Sequence, residues 1–364
     1  MHNDLLFQIS LTIVPNIGDV HAKALINHFG NAEDIFKAKK KELDQALGPI
    51  RAASIKQFHN FEKAEEEIVF IEKYKITPLF ITDKNYPQRL LNCYDSPAML
   101  YYRGNANLNQ SKILAIVGTR THNEYGKAVC EKLVDDLAGK NILIVSGLAF
   151  GIDSIAHRSA LKGNLETVGV LAHGLDRLYP AQNKSLAKEM VAQGGLLTDF
   201  RSKTNPDKQN FPKRNRIVAG ISDAIVVVES GIKGGSLITA EIGNGYNKEV
   251  FAIPGRTNDS RSVGCNYLIR NNKACLITSA DDLLEDMGWK EHKKPSAKKQ
   301  RELFIELSDD EKIIVSILQA QEQIHIDELY IKSGLSSSAV ASGLLTLEMQ
   351  NVVSSLPGKM YKLI

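Results

Sequence analysis

The sequence predicts an α/β protein: a Rossmann-like, doubly wound parallel sheet, preceded by an all-α module and followed by a winged helix. Three observations carry this expectation. From Lys112 to Trp289, short β-branched runs alternate with stretches of helical period. Before residue 75, apolar residues recur at spacings of three and four. After residue 305, three short helical stretches lead into a hairpin pattern. The expected boundaries are residues 1–75 (helical), 76–290 (sheet), 291–304 (linker) and 305–364 (winged helix). At 364 residues the chain is too long for one ordinary core.

In chain order, the helical module comprises "DLLFQISLTIV", "GDVHAKALINHFG", "NAEDIFKA" and "AASIKQFHNFEKAEEEIVFIEKY", punctuated by Gly18, Gly30 and Gly48. Its "VPNIGDVHAKALINHFG" resembles a helix-hairpin-helix (the module is SAM-like in this sense), a motif whose turn can bind DNA phosphates through backbone N–H groups. Asn16 departs from the usual Gly-x-Gly turn, which leaves the module's role open. A lead-in rich in Pro and Tyr, strand-like in places, covers Lys75 to Asn105. The strands that follow are "KILAIVG", "NILIVSG", "ETVGVLA", "GLLTD", "DAIVVVES", "EVFAIPG" and "ACLIT", with helices such as "EYGKAVCEKLVDDLAGK" and "NKSLAKEMVAQ" between them. The charged "KEHKKPSAKKQRE" reads as a linker. Beyond it, "SDDEKIIVSILQA", "HIDELYIKSG", "SSSAVASGLLTLEMQ" and the hairpin "NVVSSLPGKMYKLI" make the winged helix. Its third helix has no Lys or Arg and carries Glu348. A major-groove reader presents basic and amide side chains, so this module reads as a protein-contact or structural unit.

Composition narrows the function classes. Hydrophobic content of 43%, charged content of 24% and a net charge of +3 are those of a soluble globular chain, so any basic site must be local. Cys93, Cys130, Cys265 and Cys275 form no C-x-x-C pair and read as incidental thiols of a reducing cytoplasm. The N-terminal segment has no basic region, and no run approaches the roughly 18 apolar residues of a membrane span. A cytoplasmic protein with no membrane partner is expected.

Doubly wound sheets bind ligands beyond the carboxyl ends of their strands. After the first strand come Gly118, Thr119 and Arg120. Arg120 occupies the place of the second glycine of a dinucleotide fingerprint, which argues against a nicotinamide or flavin cofactor; its planar fork suits a phosphate instead. A surface arginine in a loop is the plain alternative. After the second strand, "SGLAFGIDSIAH" (Ser146–His157) keeps backbone N–H groups accessible to an anion. There Asp153 reads as a helix cap or a partner for a nearby Arg, and His157 as a satisfied structural histidine. After "AIVVVES", residues Gly234, Gly235 and Ser236 open another helix, although glycines there also serve close helix–sheet packing.

The segment "KQNFPKRNRIVAGIS" is the most informative. It predicts a helix with Pro212 first and Ile217, Val218 and Ile221 buried. Lys213, Arg214 and Arg216 then crowd its start, where the helix dipole is already positive, beside an exposed Phe211. A free nucleotide would leave most of Lys208, Lys213, Arg214 and Arg216 unpaired. A single strand of nucleic acid supplies successive phosphates, and a base to stack on Phe211. The competing reading is enzymatic, because "GGSLITAE" is similar to the Gly-Gly-x-Gly-Thr-x-x-Glu box of nucleotide phosphoribohydrolases. Ser236 and Leu237 depart from that box, and no partner for a catalytic Glu241 stands out. Neither metal-ligand spacing nor a nucleophile elbow is present.

Together, "IVGTR", "SGLAFGIDSIAH", "NFPKRNRIVAGIS", "VVVESGIKGGSLITAEIGNGYNKEVFAIPG" and "GCNYLIRNNKACLITSADDLLEDMG" resemble, in order, the signature segments of the DprA (Smf) family of DNA-processing proteins. The resemblance spans about residues 80 to 290. It implies a non-enzymatic, sequence-independent binder of single-stranded DNA in natural transformation and DNA recombination. Such a protein protects the competent cell's incoming strands, loads the RecA recombinase and dimerises through the Rossmann-like domain. It also implies a DNA pocket at Arg120, Ser146, Gly147, Lys208, Phe211, Lys213, Arg214, Asn215 and Gly234 to Ser236. Gly118 and Arg216 join that set from the strand-end and helix-start arguments.

Overall fold

A computed structural model describes residues 2–290, 307–321, 323–356 and 358–364. The predicted linker and the first two residues of the predicted winged helix lie outside them. The chain divides into two compact units, Met1–Lys290 and Glu291–Ile364.

The first unit begins with six helices: α1 (His2–Leu11), α2 (Asp19–Phe29), α3 (Ala32–Lys37), α4 (Lys40–Leu47), α5 (Pro49–Lys56) and α6 (Glu62–Tyr74). Asn16 turns the chain between α1 and α2 with φ of 67°, the left-handed region that Asn tolerates. Then follow β1 (Thr77–Phe80), α7 (Gln88–Leu91), β2 (Met99–Gly104), β3 (Ile113–Val117), α8 (Glu124–Asp136), β4 (Leu143–Ser146), α9 (Ile152–Lys162) and β5 (Thr167–Val170). The unit closes with α10 (Lys184–Gln193), β6 (Gly194–Thr198), α11 (Asn210–Ile221), β7 (Ala224–Val227), α12 (Gly235–Gly245), β8 (Glu249–Ala252), α13 (Val263–Arg270), β9 (Cys275–Leu276) and α14 (Ala280–Asp286).

All seven predicted strands are present. The sheet order is β1-β2-β6-β5-β4-β3-β7-β8-β9. From β6 to β9 every pairing is parallel, while β2 joins β6, and β1 joins β2, antiparallel. The lead-in segment therefore extends the sheet at one edge. Residues of β3 and β4 are wholly buried because helices cover both faces. Strand order reverses at β3, whose neighbours β4 and β7 depart in opposite directions, and a ligand crevice opens at such a point. Helices α1–α6 share one apolar core with the sheet, in which Ile9, Leu25 and Ile55 join Tyr86 and Leu100.

The second unit is the winged helix. It holds α15 (Asp309–Gln319), β10 (Ile324–His325), α16 (Ile326–Ser333), α17 (Ser337–Met349), β11 (Val353–Leu356) and β12 (Met360–Leu363). Ser308 and Glu311 close a capping box on α15, and Ile314, Leu329, Leu344 and Val353 meet in a small core of their own.

Candidate functional site

The ends of β3, β4 and β7 surround a cavity of about 270 Å³ at the switch point. Its lining includes Gly118, Arg120, Gly147, Phe211, Arg214, Asn215 and Gly234 to Ser236. Most of the residues expected from sequence are thus brought together. Two helices aim their N-termini here, α11 and α12, and neither carries a side-chain cap. The partial positive charge of both favours an anion; α12 also presents its first N–H groups, whereas in α11 the Asn210 N–H donates to the Asp207 carbonyl and Pro212 has none.

Three features differ from expectation, each for a physical reason. First, α11 begins at Asn210, so Pro212 is its third residue and Arg214 and Arg216 lie in the second turn. Pro212 still falls where the helix leaves its N–H unused. Second, Arg216 is not a free cation. Its Nη2 donates to Asp19 (2.7 Å) and Asp199 (2.9 Å), and Nη1 donates to the Asp95 carbonyl (2.5 Å). Three carboxylates, with Asp95 the most distant, offset its charge, and its side chain lines a separate cavity of about 880 Å³. Third, Ser146 and Ser236 are buried, and both hydroxyls are spent on the fold: Ser146 Oγ donates to the Ile116 carbonyl (2.6 Å) and Ser236 Oγ to Ser230 Oγ (2.8 Å).

Arg214 forms part of the floor. It is 5% exposed, donates from Nη1 to the Val170 carbonyl at 2.8 Å, and its Nε has no partner. Burial pulls its guanidinium down to about 10, against the charge of Asp153. Asp153, buried at the start of α9, is pushed above the usual carboxylate range by the same desolvation. A Cβ on Gly147 would lie 1.8 Å from Arg214 Nη1, so only glycine lets the guanidinium pass under this loop. Gly118 is fixed similarly, by Ile152 at 2.5 Å.

Of the cations expected from sequence, Arg120, Lys208 and Lys213 face solvent, but they do not share one cavity: Lys213 lines the larger one on the other side of Pro212. Phe211 is half-buried. Arg120 lies over its ring, with Cζ 5.2 Å from the centroid, and Tyr179 meets it at 6.0 Å. Tyr179 and Phe150, the aromatic neighbours of this site, had no sequence signal beyond their residue type. His157 is structural, as expected: wholly buried, with Nδ1 2.6 Å from Thr167 Oγ1.

Residues 77–288 match the family model for DNA recombination-mediator protein A, and residues 296–359 that for the DprA winged helix domain. The chain belongs to the DprA family. Among its relatives, Protein Smf of Synechocystis sp. is 31% identical over 99% of both chains. The X-ray structure of DprA from Streptococcus pneumoniae superposes with a TM-score of 0.64 at 32% identity, covering 77% of this chain and 97% of that one. DprA from Helicobacter pylori, whose structure concerns its single-stranded DNA binding mode, gives 0.54 at 30% identity over 59% and 96%. The DprA match spans the whole sheet from β1 to β9, so the switch-point cavity lies inside it.

Proposed function

We propose that this DprA-family chain binds single-stranded DNA without sequence preference at the switch-point cavity, as a non-enzymatic protein of the cytoplasm. The observation that supports this most is the convergence of Arg120, Phe211 and two uncapped helix N-termini on one crevice. Phosphates suit the N–H groups and the guanidinium, and bases suit the ring. Gly118, Gly147, Gly234 and Gly235 keep backbone close to the strand, Asn215 offers an amide, and Lys208 and Lys213 supply electrostatic attraction beside it. Arg214 acts from the floor as a fixed positive charge, Ser146 and Ser236 hold the walls, and Arg216 fixes α11 from its other side.

Family resemblance supports the wider role: protecting incoming strands in natural transformation, loading the RecA recombinase onto them, and pairing as a homodimer through the sheet domain. The phosphoribohydrolase reading loses support because Glu241 lines the other cavity and is paired with Lys273 at 3.2 Å. It therefore does not face Arg120. Among the described residues no group of His, Cys, Asp and Glu could hold a metal, and no helix is long and apolar enough to cross a membrane.

Arg120→Ala tests the reading. Binding of single strands should weaken equally for all sequences, and the log–log salt slope should flatten by about 0.7, one phosphate's worth. Duplex should compete poorly, and nucleoside monophosphate should release no free base. Unchanged affinity and slope for the variant would remove Arg120 from the site.

A further inference from the structure

We propose that Tyr179 is a second base platform, set at an angle to Phe211, so that a bound strand is unstacked between two successive bases. This rests on the single-stranded DNA reading above and adds a geometry to it. Tyr179 and Phe150 are large aromatics that remain 46% and 42% exposed beside this crevice, so ring surface is open to a base. They border a narrow cleft that shares Arg120, Gly147 and Phe211 with the main cavity, so the surface is continuous. The cleft itself holds only about 20 Å³, too little for a base, so a base must lie on the outer faces of the rings. The occupant is the next base of the same strand, because Arg120 serves both places.

The angle is the decisive quantity. The Tyr179 and Phe211 rings stand 6.0 Å apart with their planes inclined at 62°. Bases gain from aromatic side chains when face lies against face. Two bases, each flat on its own ring, would be inclined about as steeply as the rings and could not stack on one another. Tyr179 is also held from behind. Its N–H donates to His173 Nε2 at 3.1 Å, while Nδ1, 2.9 Å from the Gly174 carbonyl, must be the protonated nitrogen. Burial holds that imidazole below its ordinary range, which keeps Nε2 free to accept.

Unstacking costs more for adenines than for thymines, so a modest pyrimidine preference is superimposed on otherwise sequence-independent binding. The test compares short oligo(dT) and oligo(dA) by fluorescence anisotropy, with circular dichroism of the bound oligo(dA) reporting base stacking. Wild-type protein should favour oligo(dT) and erase part of the stacked-adenine signal. Tyr179→Ala should bind oligo(dT) about 5- to 150-fold more weakly, bring the two affinities together and leave adenine stacking intact. Tyr179→Phe should behave as wild type, since the ring and not the hydroxyl is used. Tyr179→Leu, which keeps apolar bulk, should fail like the Ala variant. Wild-type affinity and dichroism in both Tyr179→Ala and Tyr179→Leu would overturn the second platform while Arg120→Ala still loses binding. Failure of wild-type protein to bind either oligonucleotide would overturn both readings.

Discussion

Arg214 and Arg216 are two residues apart on one helix, yet their environments are opposite. Arg214 passes beneath Gly147 into the cavity, with Asp153 as its main opposing charge. Arg216 points to the other side of α11, into carboxylates from α2 (Asp19), from the loop before β2 (Asp95) and from the end of β6 (Asp199). Sequence showed a run of basic residues at a helix start but not which of them are answered internally. Those carboxylates lie 197, 121 and 17 positions away, and nothing local marks them as partners. The basic helix start is therefore stabilised partly by the protein's own acids, and of the site cations expected from sequence Arg120, Lys208 and Lys213 present charge outward. A clean contrast follows. Arg216→Ala should lower stability by about 1–3 kcal/mol in urea melts, because it leaves three partly buried carboxylates without their shared cation. Arg120→Ala, at an exposed position, should leave stability within about 0.5 kcal/mol.

At the scale of elements, the strands were legible because each is a short β-branched run bounded by glycine or a polar turn, a pattern that needs no tertiary knowledge. The edges were less so. β9, at one edge, keeps only Cys275 and Leu276 of the predicted "ACLIT", the two residues that pair with Phe251 and Ala252 of β8. The helix-hairpin-helix was also legible as a shape, whereas its use was not. The start of α2 is turned inward: Asp19 accepts from the Ala98 N–H at 3.0 Å and from Arg216 at 2.7 Å, tying the helix to the sheet edge and to α11. A second tie runs from Glu67 of α6, which accepts from the Ser202 N–H at 3.0 Å. This end of the motif is occupied by the protein itself. Asp19→Ala should therefore cost about 1–3 kcal/mol through the Ala98 N–H left unsatisfied and the weakened hold on Arg216. Amide hydrogen exchange should show faster exchange in both α2 and α11. Protection lost in α2 alone would mean that the two helices are not coupled through Arg216.

Across the whole first unit, packed cores lie on both faces of one sheet, the helical module joining one and α9 the other, so proton uptake deep in either is read out as global stability. His157 sits between α9 and β5. Thr167 Oγ1 donates to the Ile144 carbonyl at 3.1 Å, so Nδ1 of His157 must be the donor to Thr167, and Nε2 is left with no partner. A second proton would create a charge with nothing to receive it. Burial, aided by the nearby Arg214 charge, accordingly pushes this imidazole down to about 3. The unfolded chain takes up that proton near pH 6.5, whereas the native protein does not until near 3. Between those limits the unfolded state holds more protons, and stability falls as pH falls, by up to about 1.4 kcal/mol per unit. Asp199 acts in the opposite sense. Burial pushes it up to about 6, against the pull of Arg216, so between roughly pH 4 and 6 the native state holds the extra proton and gains stability as pH falls. The wild-type profile carries both, together with the raised Asp153, which acts in the sense of Asp199, and the lowered His173, which acts in the sense of His157. His157→Gln removes its contribution, so urea midpoints measured from pH 7 to 4.5 should decline less steeply than in the wild type, by up to one proton's slope. Parallel wild-type and variant profiles would mean that His157 titrates alike in the folded and unfolded chain, and that its bare Nε2 is reached by solvent.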